Sequence, residues 1–224
     1  MKRLYYIFTI ILLLASNVWG ESGVTSAPGI QLQDEGTGAG RIQILNCVGA
    51  GIACTKSGVT GTATISSSGG GITVGNYTAL SATAVDYGSI PTGTKRIVVM
   101  INGASTNGTS QIQVQIGDSG GVENTSYVSS AQTGGSRVAS TSGYVMEFTP
   151  TAAANVRSGK VTLDLMDAAT FHWVSSGTVT NVSASDTYYS AGIKALSAEL
   201  TQVRITTVNG TDTFDAGNVN ITYE

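Results

Sequence analysis

Charged side chains are scarce in this chain. Asp, Glu, Lys and Arg make up 11% of its 224 residues, against about a quarter in an ordinary globular protein. The eleven basic residues are scattered rather than clustered. This distribution argues against nucleic acid as a partner, because nucleic-acid-binding proteins need a basic face to displace phosphate counterions. A neutral glycan or a protein surface is the more compatible partner.

Helical patterns are also missing. No stretch shows sustained apolar spacing at three and four residues, which would indicate an amphipathic helix. Instead, 29 glycines and many Ser, Thr and Asn residues interrupt short runs of Val, Ile and Thr. Such runs between turn-forming residues are typical of strands. We therefore predict an all-β protein.

Residues that bind metals or act as acids and bases are few. His172 is the single histidine; it could join Asp164, Asp167 and a nearby serine in a catalytic triad, but a solvent-facing or hydrogen-bonded strand histidine is the simpler interpretation. Asp212 and Asp215 could bind Ca²⁺, but their spacing is not that of a calcium loop, and capping of their own turn explains them more simply. We predict no catalytic residue, no metal and no cofactor.

The first 20 residues have the pattern of a secretory signal peptide. Lys2 and Arg3 precede an apolar run from Leu4 to Ala15, and Val18 and Gly20 are small residues at the positions that a signal peptidase reads. The alternative is a membrane anchor, but a helix needs roughly 20 apolar residues to cross a bilayer. We therefore expect export without a stable membrane span. Cleavage would leave nine basic residues against fourteen acidic ones.

The remaining chain divides into three predicted parts: a small Gly-rich β module (21–65), a linker (66–75) and a C-terminal antiparallel β-sandwich of the jelly-roll kind (76–224). In the β module, four short alternating runs contain Ile30 and Leu32, Ile42 and Ile44, Ile52 and Cys54, and Thr62 and Thr64. So few apolar residues cannot offset the entropy of ordering the module. We expect the module to pack against copies of itself or against a larger body.

Eight strands are predicted in the sandwich. The first two should form a hairpin with a wide, exposed connection. The last two, which alternate apolar and polar residues up to the C-terminus, should be built into a sheet. The strands are Lys95–Asn102, Ser110–Gly117, Tyr144–Phe148, Lys160–Leu165, Phe171–Thr180, Ile193–Leu200, Val203–Val208 and Val219–Tyr223.

Cys47 and Cys54 are the only cysteines. A two-residue turn at Ala50 and Gly51 would place them opposite each other on paired strands, at a separation that a disulfide allows, and export makes oxidation chemically plausible. If the loop instead includes Gly49, the register changes and the cysteines are two small core residues.

Tyr188 and Tyr189 are candidate carbohydrate contacts. Aromatic rings with polar tips suit the recognition of sugars, and two adjacent residues of a strand face opposite ways, so one of the two could lie outside. The other interpretation is that the tyrosines belong to the sandwich core or to contacts between protein copies.

Three stretches together resemble bacteriophage tail-fibre and related virion structural proteins. They are "GIQLQDEGTGAG" with the later "LNCVGAG", "SIPTGTKRIVVMINGASTNGTSQIQVQIGDSGGVE", and "TVNGTDTFDAG" near the C-terminus. The resemblance spans Gly29 to Glu224. It implies a non-enzymatic, homotrimeric fibre or appendage tip that contacts a glycan or protein receptor on the bacterial surface.

Two other functions remain open. Virion proteins normally assemble without export and need no signal peptide. The chain could therefore be a prophage-derived protein sent to the periplasm or cell surface. A tailspike-type enzyme that degrades glycans would need paired acidic residues in a groove. Asp164 and Asp167 are a close acidic pair after the linker, but strand alternation does not place that pair in a groove.

Overall fold

A computed structural model describes the backbone of residues 30–34, 37–42, 52–57, 60–65, 71–148 and 152–224, and the side chains of the last two ranges. The described residues divide into two compact units, one within residues 1–67 and the other within residues 68–224. The division falls inside the stretch predicted as a linker. The predicted signal peptide lies outside the described residues.

Two hairpins make up the described part of the first unit. Strands β1 (Ile30–Asp34) and β2 (Thr37–Ile42) pair antiparallel, as do β3 (Ile52–Ser57) and β4 (Thr60–Ile65). The alternating runs of the β module therefore lie in strands, except for Ile44, which is outside the described residues. Cys54 is opposite Ala63. Because Cys47 is not among the described residues, its disulfide with Cys54 stays a prediction.

The second unit consists of fourteen strands among the residues described. In chain order they are β5 (Thr73–Val74), β6 (Thr78–Ala79), β7 (Ala84–Tyr87), β8 (Arg96–Thr106), β9 (Ile112–Asp118), β10 (Gly121–Val122), β11 (Val128–Thr133), β12 (Ser136–Ser140), β13 (Tyr144–Val145), β14 (Arg157–Asp167), β15 (His172–Asn181), β16 (Asp186–Ala195), β17 (Gln202–Thr207) and β18 (Phe214–Tyr223).

These strands form two antiparallel sheets. The large sheet has the order β12-β11-β16-β15-β14-β8-β18-β5, with β6 also paired to β18. The small sheet has the order β10-β9-β17-β7, with β13 also paired to β9. No helix occurs in residues 71–148 and 152–224. The prediction of an all-β, sandwich-like fold is confirmed.

One hydrophobic core lies between the two sheets. Alternate residues of β8 and β14 face it from the large sheet, and alternate residues of β9 and β17 face it from the small sheet. Each fully buried apolar side chain of this kind contributes about 1.5–3 kcal/mol. The Tyr144 hydroxyl, next to β9, donates a hydrogen bond to the Trp173 carbonyl of the large sheet at 2.9 Å. Polar as well as apolar contacts therefore join the sheets.

The predicted hairpin of the first two sandwich strands is wrong. β8 pairs with β14 and β18 in the large sheet, whereas β9 pairs with β10, β13 and β17 in the small sheet. The connection after Thr106 therefore crosses from one sheet to the other. Alternation identified both strands, but it carries no information about which strand is the neighbour of which.

The C-terminal residues are built into a sheet, as predicted. β18 pairs with β8 along its length, and the Glu224 carbonyl accepts hydrogen bonds from the backbone N–H groups of Lys95 and Arg96 at 2.7 and 3.1 Å. Phe214, at the start of β18, is 1% exposed. Part of the predicted linker also joins this sheet, because Thr73–Val74 pairs with β18 as the edge strand β5.

Other differences concern strands with few large apolar residues. Strands β7, β11 and β12 were not predicted; β11 and β12 consist mostly of Ser, Ala, Thr and Gln. Strand β16 begins seven residues before the predicted Ile193 and ends at Ala195. Leu196 and Leu200, which were assigned to that strand, are buried core residues of the following connection.

Candidate functional site

The outer face of the small sheet is polar yet largely buried. In β9, Ile112, Val114 and Ile116 face the core, so Gln113 and Gln115 point to the opposite side. These two glutamines are nevertheless only 1% and 6% exposed. Buried polar side chains of this kind need hydrogen-bond partners, so we expect neighbouring segments of the chain to supply them.

Cross-strand pairing arranges the polar side chains in two rows. Gln115 is opposite Arg204 of β17, which is opposite Asp86 of β7. In the next row, Gln113 is opposite Thr206. Residues directly opposite each other have Cβ atoms about 4.5–5.5 Å apart, so each row presents its functional groups side by side.

Ser140, at the end of β12, and Ser142, in the connection that follows, hold the glutamines in place. The Gln113 Oε1 accepts hydrogen bonds from the hydroxyls of Ser140 and Ser142 at 3.3 and 3.1 Å. The Gln115 Nε2 donates to the Ser142 carbonyl at 2.8 Å. On the other side, the Thr206 hydroxyl donates to the Thr83 carbonyl at 2.8 Å. The side chains of both rows are therefore fixed before any ligand arrives.

Arg204 and Asp86 form a bidentate ion pair. The Arg204 Nε and Nη2 donate to the two Asp86 carboxylate oxygens, each at 2.7 Å. These hydrogen bonds raise the pKa of the Arg204 guanidinium above its usual value. The pair is solvent-accessible and contributes little to stability. It fixes the guanidinium plane and cancels its charge.

Together these residues line a trough of about 370 Å³, which is within the size range of small-molecule sites. We call it the polar trough; its lining comprises Thr83, Ala84, Gln113, Gln115, Asn124, Ser142, Arg204, Thr206, Thr207, Val208, Asn209 and Gly210. Three groups have no hydrogen-bond partner within the described ranges: the Arg204 Nη1, the Gln115 Oε1 and the Asn124 carboxamide. They are available to a ligand.

The motif "TVNGTDTFDAG" forms one end of the polar trough. Its Asn209 side-chain oxygen accepts hydrogen bonds from the Thr207 hydroxyl and from the backbone N–H groups of Thr211 and Asp212. Gly210 has a φ of +69°, a conformation that favours glycine. The Asp212 carboxylate accepts from the Ser110 N–H at 2.9 Å and from the Asn209 Nδ2 at 2.6 Å. The aspartate thus stabilises the loop, in agreement with the turn interpretation.

Two acidic residues, Asp118 and Glu123, lie beside the trough, and both already have hydrogen-bond partners. The Asp118 carboxylate accepts hydrogen bonds from the Ser197 hydroxyl at 2.5 Å and from the Gly120 N–H at 2.7 Å, and these bonds lower its pKa. Burial opposes ionisation of Glu123, but its bonds to Lys194 and to the Ser197 N–H outweigh that effect and lower its pKa. Among the residues described, no group of three or more His, Cys, Asp or Glu could hold a metal ion.

Of the two tyrosines predicted to contact carbohydrate, only Tyr189 is accessible. It is 58% exposed on the outer face of the large sheet, between Gln132 and Thr178, whereas Tyr188 is 3% exposed. The adjacent tyrosines do face opposite ways, as expected. Burial removes Tyr188 as a direct contact, and Tyr189 lies on the sheet that does not carry the polar trough.

His172 and the acidic pair serve local structure. The His172 Nδ1 is 2.7 Å from the Thr170 hydroxyl, which is 2.5 Å from the Asp167 carboxylate. The hydrogen bond from Thr170, with one from the Ala169 N–H, lowers the pKa of Asp167. Asp164 is instead paired with Arg96 at 2.6 Å. Asp164 and Asp167 therefore do not converge on a groove.

The sequence "GDSGG", from Gly117 to Gly121, matches the Gly-x-Ser-x-Gly pattern of serine hydrolases. In the hydrolases this motif joins a strand to a helix, but here it forms the tight turn between β9 and β10. The neighbouring Asp118 bonds to Ser197 and His172 bonds to Thr170. The three residue types of a triad are thus present without the hydrogen bonds that would connect them.

Sequence reasoning missed the polar trough, although one signal was available. Gln113 and Gln115 alternate with three core residues in a strand that was correctly predicted. Asp86 could not be found in this way, because it meets Arg204 across 118 residues of chain through a strand that was not predicted.

The chain matches no protein-family model, no curated protein and no solved structure. The described residues include no helix that is long and apolar enough to cross a membrane.

Proposed function

We propose that the protein is a non-enzymatic structural and adhesion protein, similar to phage tail fibres, that contacts the surface of a host cell. The observation that carries this proposal is the polar trough. Its Gln113 and Gln115 amides and Arg204 guanidinium are held by other protein groups, which is the preorganisation that recognition requires. The residues lining it carry no carboxylate.

The chemistry of the trough favours binding over glycan cleavage. Glycoside hydrolysis uses two carboxyl groups on either side of the scissile bond. The acidic residue closest in register to the trough floor is Asp86, and both of its carboxylate oxygens are engaged by Arg204. Such a carboxylate can orient a partner but is not placed to act as an acid.

Association of three copies would strengthen a shallow site, because linked sites raise avidity without new contacts. One feature supports association between copies. Ile72, Val74 and Tyr77, at the start of the second unit, are 67%, 65% and 66% exposed, and Val74 lies in the edge strand β5. Exposed apolar residues on a sheet edge favour pairing with another chain.

A second candidate function is that of an exported, prophage-derived protein of the periplasm or cell surface. The N-terminal pattern of Lys2, Arg3 and the following apolar run favours this candidate. Tail genes next to the coding sequence would favour the fibre, and their absence would favour the exported protein.

Two measurements test the proposal. Purified protein, fluorescently labelled, should bind whole cells of at least one strain in a panel of bacterial species, and native mass measurement should give a trimer of chains cleaved after the first 20 residues. Failure to bind any strain would contradict adhesion. Release of reducing ends from purified capsule or lipopolysaccharide would show an enzyme instead.

A further inference from the structure

The floor of the polar trough has no net charge. Arg204 is its single cation among the lining residues, and the bidentate contact with Asp86 balances that charge. The other lining groups are amides, hydroxyls, small apolar side chains and backbone. A ligand with a carboxylate or phosphate would therefore lose hydration without meeting an uncompensated cation.

The available groups match adjacent hydroxyls of a sugar. The Arg204 Nη1 is a donor and the Gln115 Oε1 is an acceptor, and the two residues are directly opposite each other in register. The Asn124 carboxamide, on an exposed connection, offers both a donor and an acceptor. A hydroxyl group donates one hydrogen bond and accepts others, so two neighbouring hydroxyls can satisfy this combination, whereas an anion can only accept.

We propose that the polar trough binds a neutral oligosaccharide through neighbouring hydroxyls, with Gln115, Arg204 and Asn124 as the contacts, and that the Arg204–Asp86 pair excludes acidic sugars. This inference depends on the proposed adhesion function and names the ligand class of its site. Asp86 acts here as a specificity residue, because it removes the charge that would attract an anionic ligand.

An oligosaccharide array tests the ligand class. The probes are neutral hexose di- to tetrasaccharides and uronic acid oligosaccharides of the same lengths, and the analyte is the purified protein used for the cell-binding measurement. Wild type should bind at least one neutral probe and no uronate. Q115A and N124A should weaken that binding by about tenfold each, since each removes a hydrogen bond to the ligand. N124A also serves if Q115A unfolds, because the Asn124 side chain supports no other group within the described residues.

D86N tests the exclusion of acidic sugars. It frees the guanidinium charge and should produce uronate binding that wild type lacks. D164N is the matched control: Asp164 also pairs with an arginine, on the large sheet, and its replacement changes the net charge by the same amount. D164N should bind as wild type does. Equal uronate binding by D86N and D164N, or by wild type, would overturn the exclusion.

Whole-cell binding separates the failure of this inference from the failure of the proposed function. If wild type and Q115A both adhere to cells equally well, and N124A does too, the trough is not the binding site although adhesion stands. If wild type adheres to no strain but binds a neutral probe more tightly than Q115A does, the trough binds sugar and the adhesion function fails. If wild type binds neither cells nor probes, both are wrong.

Discussion

The outer faces of the two sheets differ in how far their side chains are exposed to solvent. On the small sheet, Gln113, Gln115 and Thr206 are 1%, 6% and 5% exposed and are held by hydrogen bonds to neighbouring connections. On the large sheet, Val128 and Tyr189 are 70% and 58% exposed. Neighbouring connections therefore cover part of the outer face of the small sheet, while the corresponding face of the large sheet is exposed to solvent.

This difference shows where specific recognition has a physical basis. A polar side chain that is buried without a partner costs about 1–3 kcal/mol, so burial of Gln113 and Gln115 depends on the hydrogen bonds that they make with the neighbouring connections. The same fixed amides give a ligand contacts from several sides. An open sheet face offers contacts from one side only, which suits broad packing against another surface.

The largest expected effect concerns the ion pair that joins the sheets. The Glu147 carboxylate accepts a hydrogen bond from the Ile112 N–H of β9 and pairs with Arg157 of β14 at 2.9 Å, and both side chains are fully buried. Burial raises the pKa of Glu147, although Arg157 opposes this shift. R157A should therefore lower the free energy of unfolding by about 3–5 kcal/mol in urea denaturation, because it leaves a buried carboxyl without its partner.

Two further variants check the cause of that loss. E147L/R157M, which removes both charges, should recover most of it, since replacing a whole buried pair with apolar groups is often neutral. This recovery is favoured by the Arg157 Nη2, which is buried without a hydrogen-bond partner. R96A, which breaks the exposed ion pairs with Asp164 and Glu224 on the large sheet, should have little measurable effect. A loss in R157A no larger than that in R96A would contradict a role in joining the sheets.

The next effect is confined to the large sheet. Gly217 has a φ of +96° at an irregular point of β18, and a Cβ there would lie 2.6 Å from the Ala104 Cα of β8. G217A should lower the free energy of unfolding by about 3 kcal/mol, from strained backbone together with steric overlap. G93A is the control: Gly93 also has a positive φ, of +83°, but open space around it, so about 1 kcal/mol is expected. Equal losses would show that backbone strain alone matters.

A smaller effect depends on pH and concerns the edge of the small sheet. The Ser197 hydroxyl lowers the pKa of Asp118. A lowered carboxyl pKa stabilises the folded state above the unfolded pKa of about 3.9, and this contribution is lost as pH falls through the folded value. D118N should therefore be less stable than wild type at pH 7, and the difference should shrink as the pH falls below about 4 in urea denaturation.

S197A distinguishes the cause of this pH dependence. It should reduce the difference between wild type and D118N at pH 7, because it removes the largest contribution to the shift of the Asp118 pKa. A difference that stays constant from pH 7 to 2 would show that Asp118 acts through packing rather than through its charge.

The sequence predicts elements better than it predicts their neighbours. Alternation identified the core residues of β9 and β17, such as Val114, Val203 and Ile205, because a period of two assigns each residue to one face. It misassigned β8 and β9 to one hairpin, since pairing depends on contacts far apart in the chain. Strands made of small polar residues, such as β11, were not predicted because they lack large apolar side chains at alternate positions. The polar trough depends on long-range pairing of this kind, because three of its residues, Ser142, Gln115 and Arg204, come from separate segments of the chain.

The smallest expected effect is at Tyr189. Because the ring is exposed on the open face of the large sheet, Y189A should change the free energy of unfolding by no more than about 0.5 kcal/mol. It should also leave the affinity for neutral oligosaccharides at the wild-type value, while Q115A lowers it. Tyr188→Ala is not a usable comparison, since that side chain is buried and its loss would leave a cavity. Weaker cell binding by Y189A with unchanged oligosaccharide binding would place a second contact surface on the large sheet. Weaker oligosaccharide binding by Y189A would instead place the sugar site on the outer face of the large sheet rather than in the polar trough.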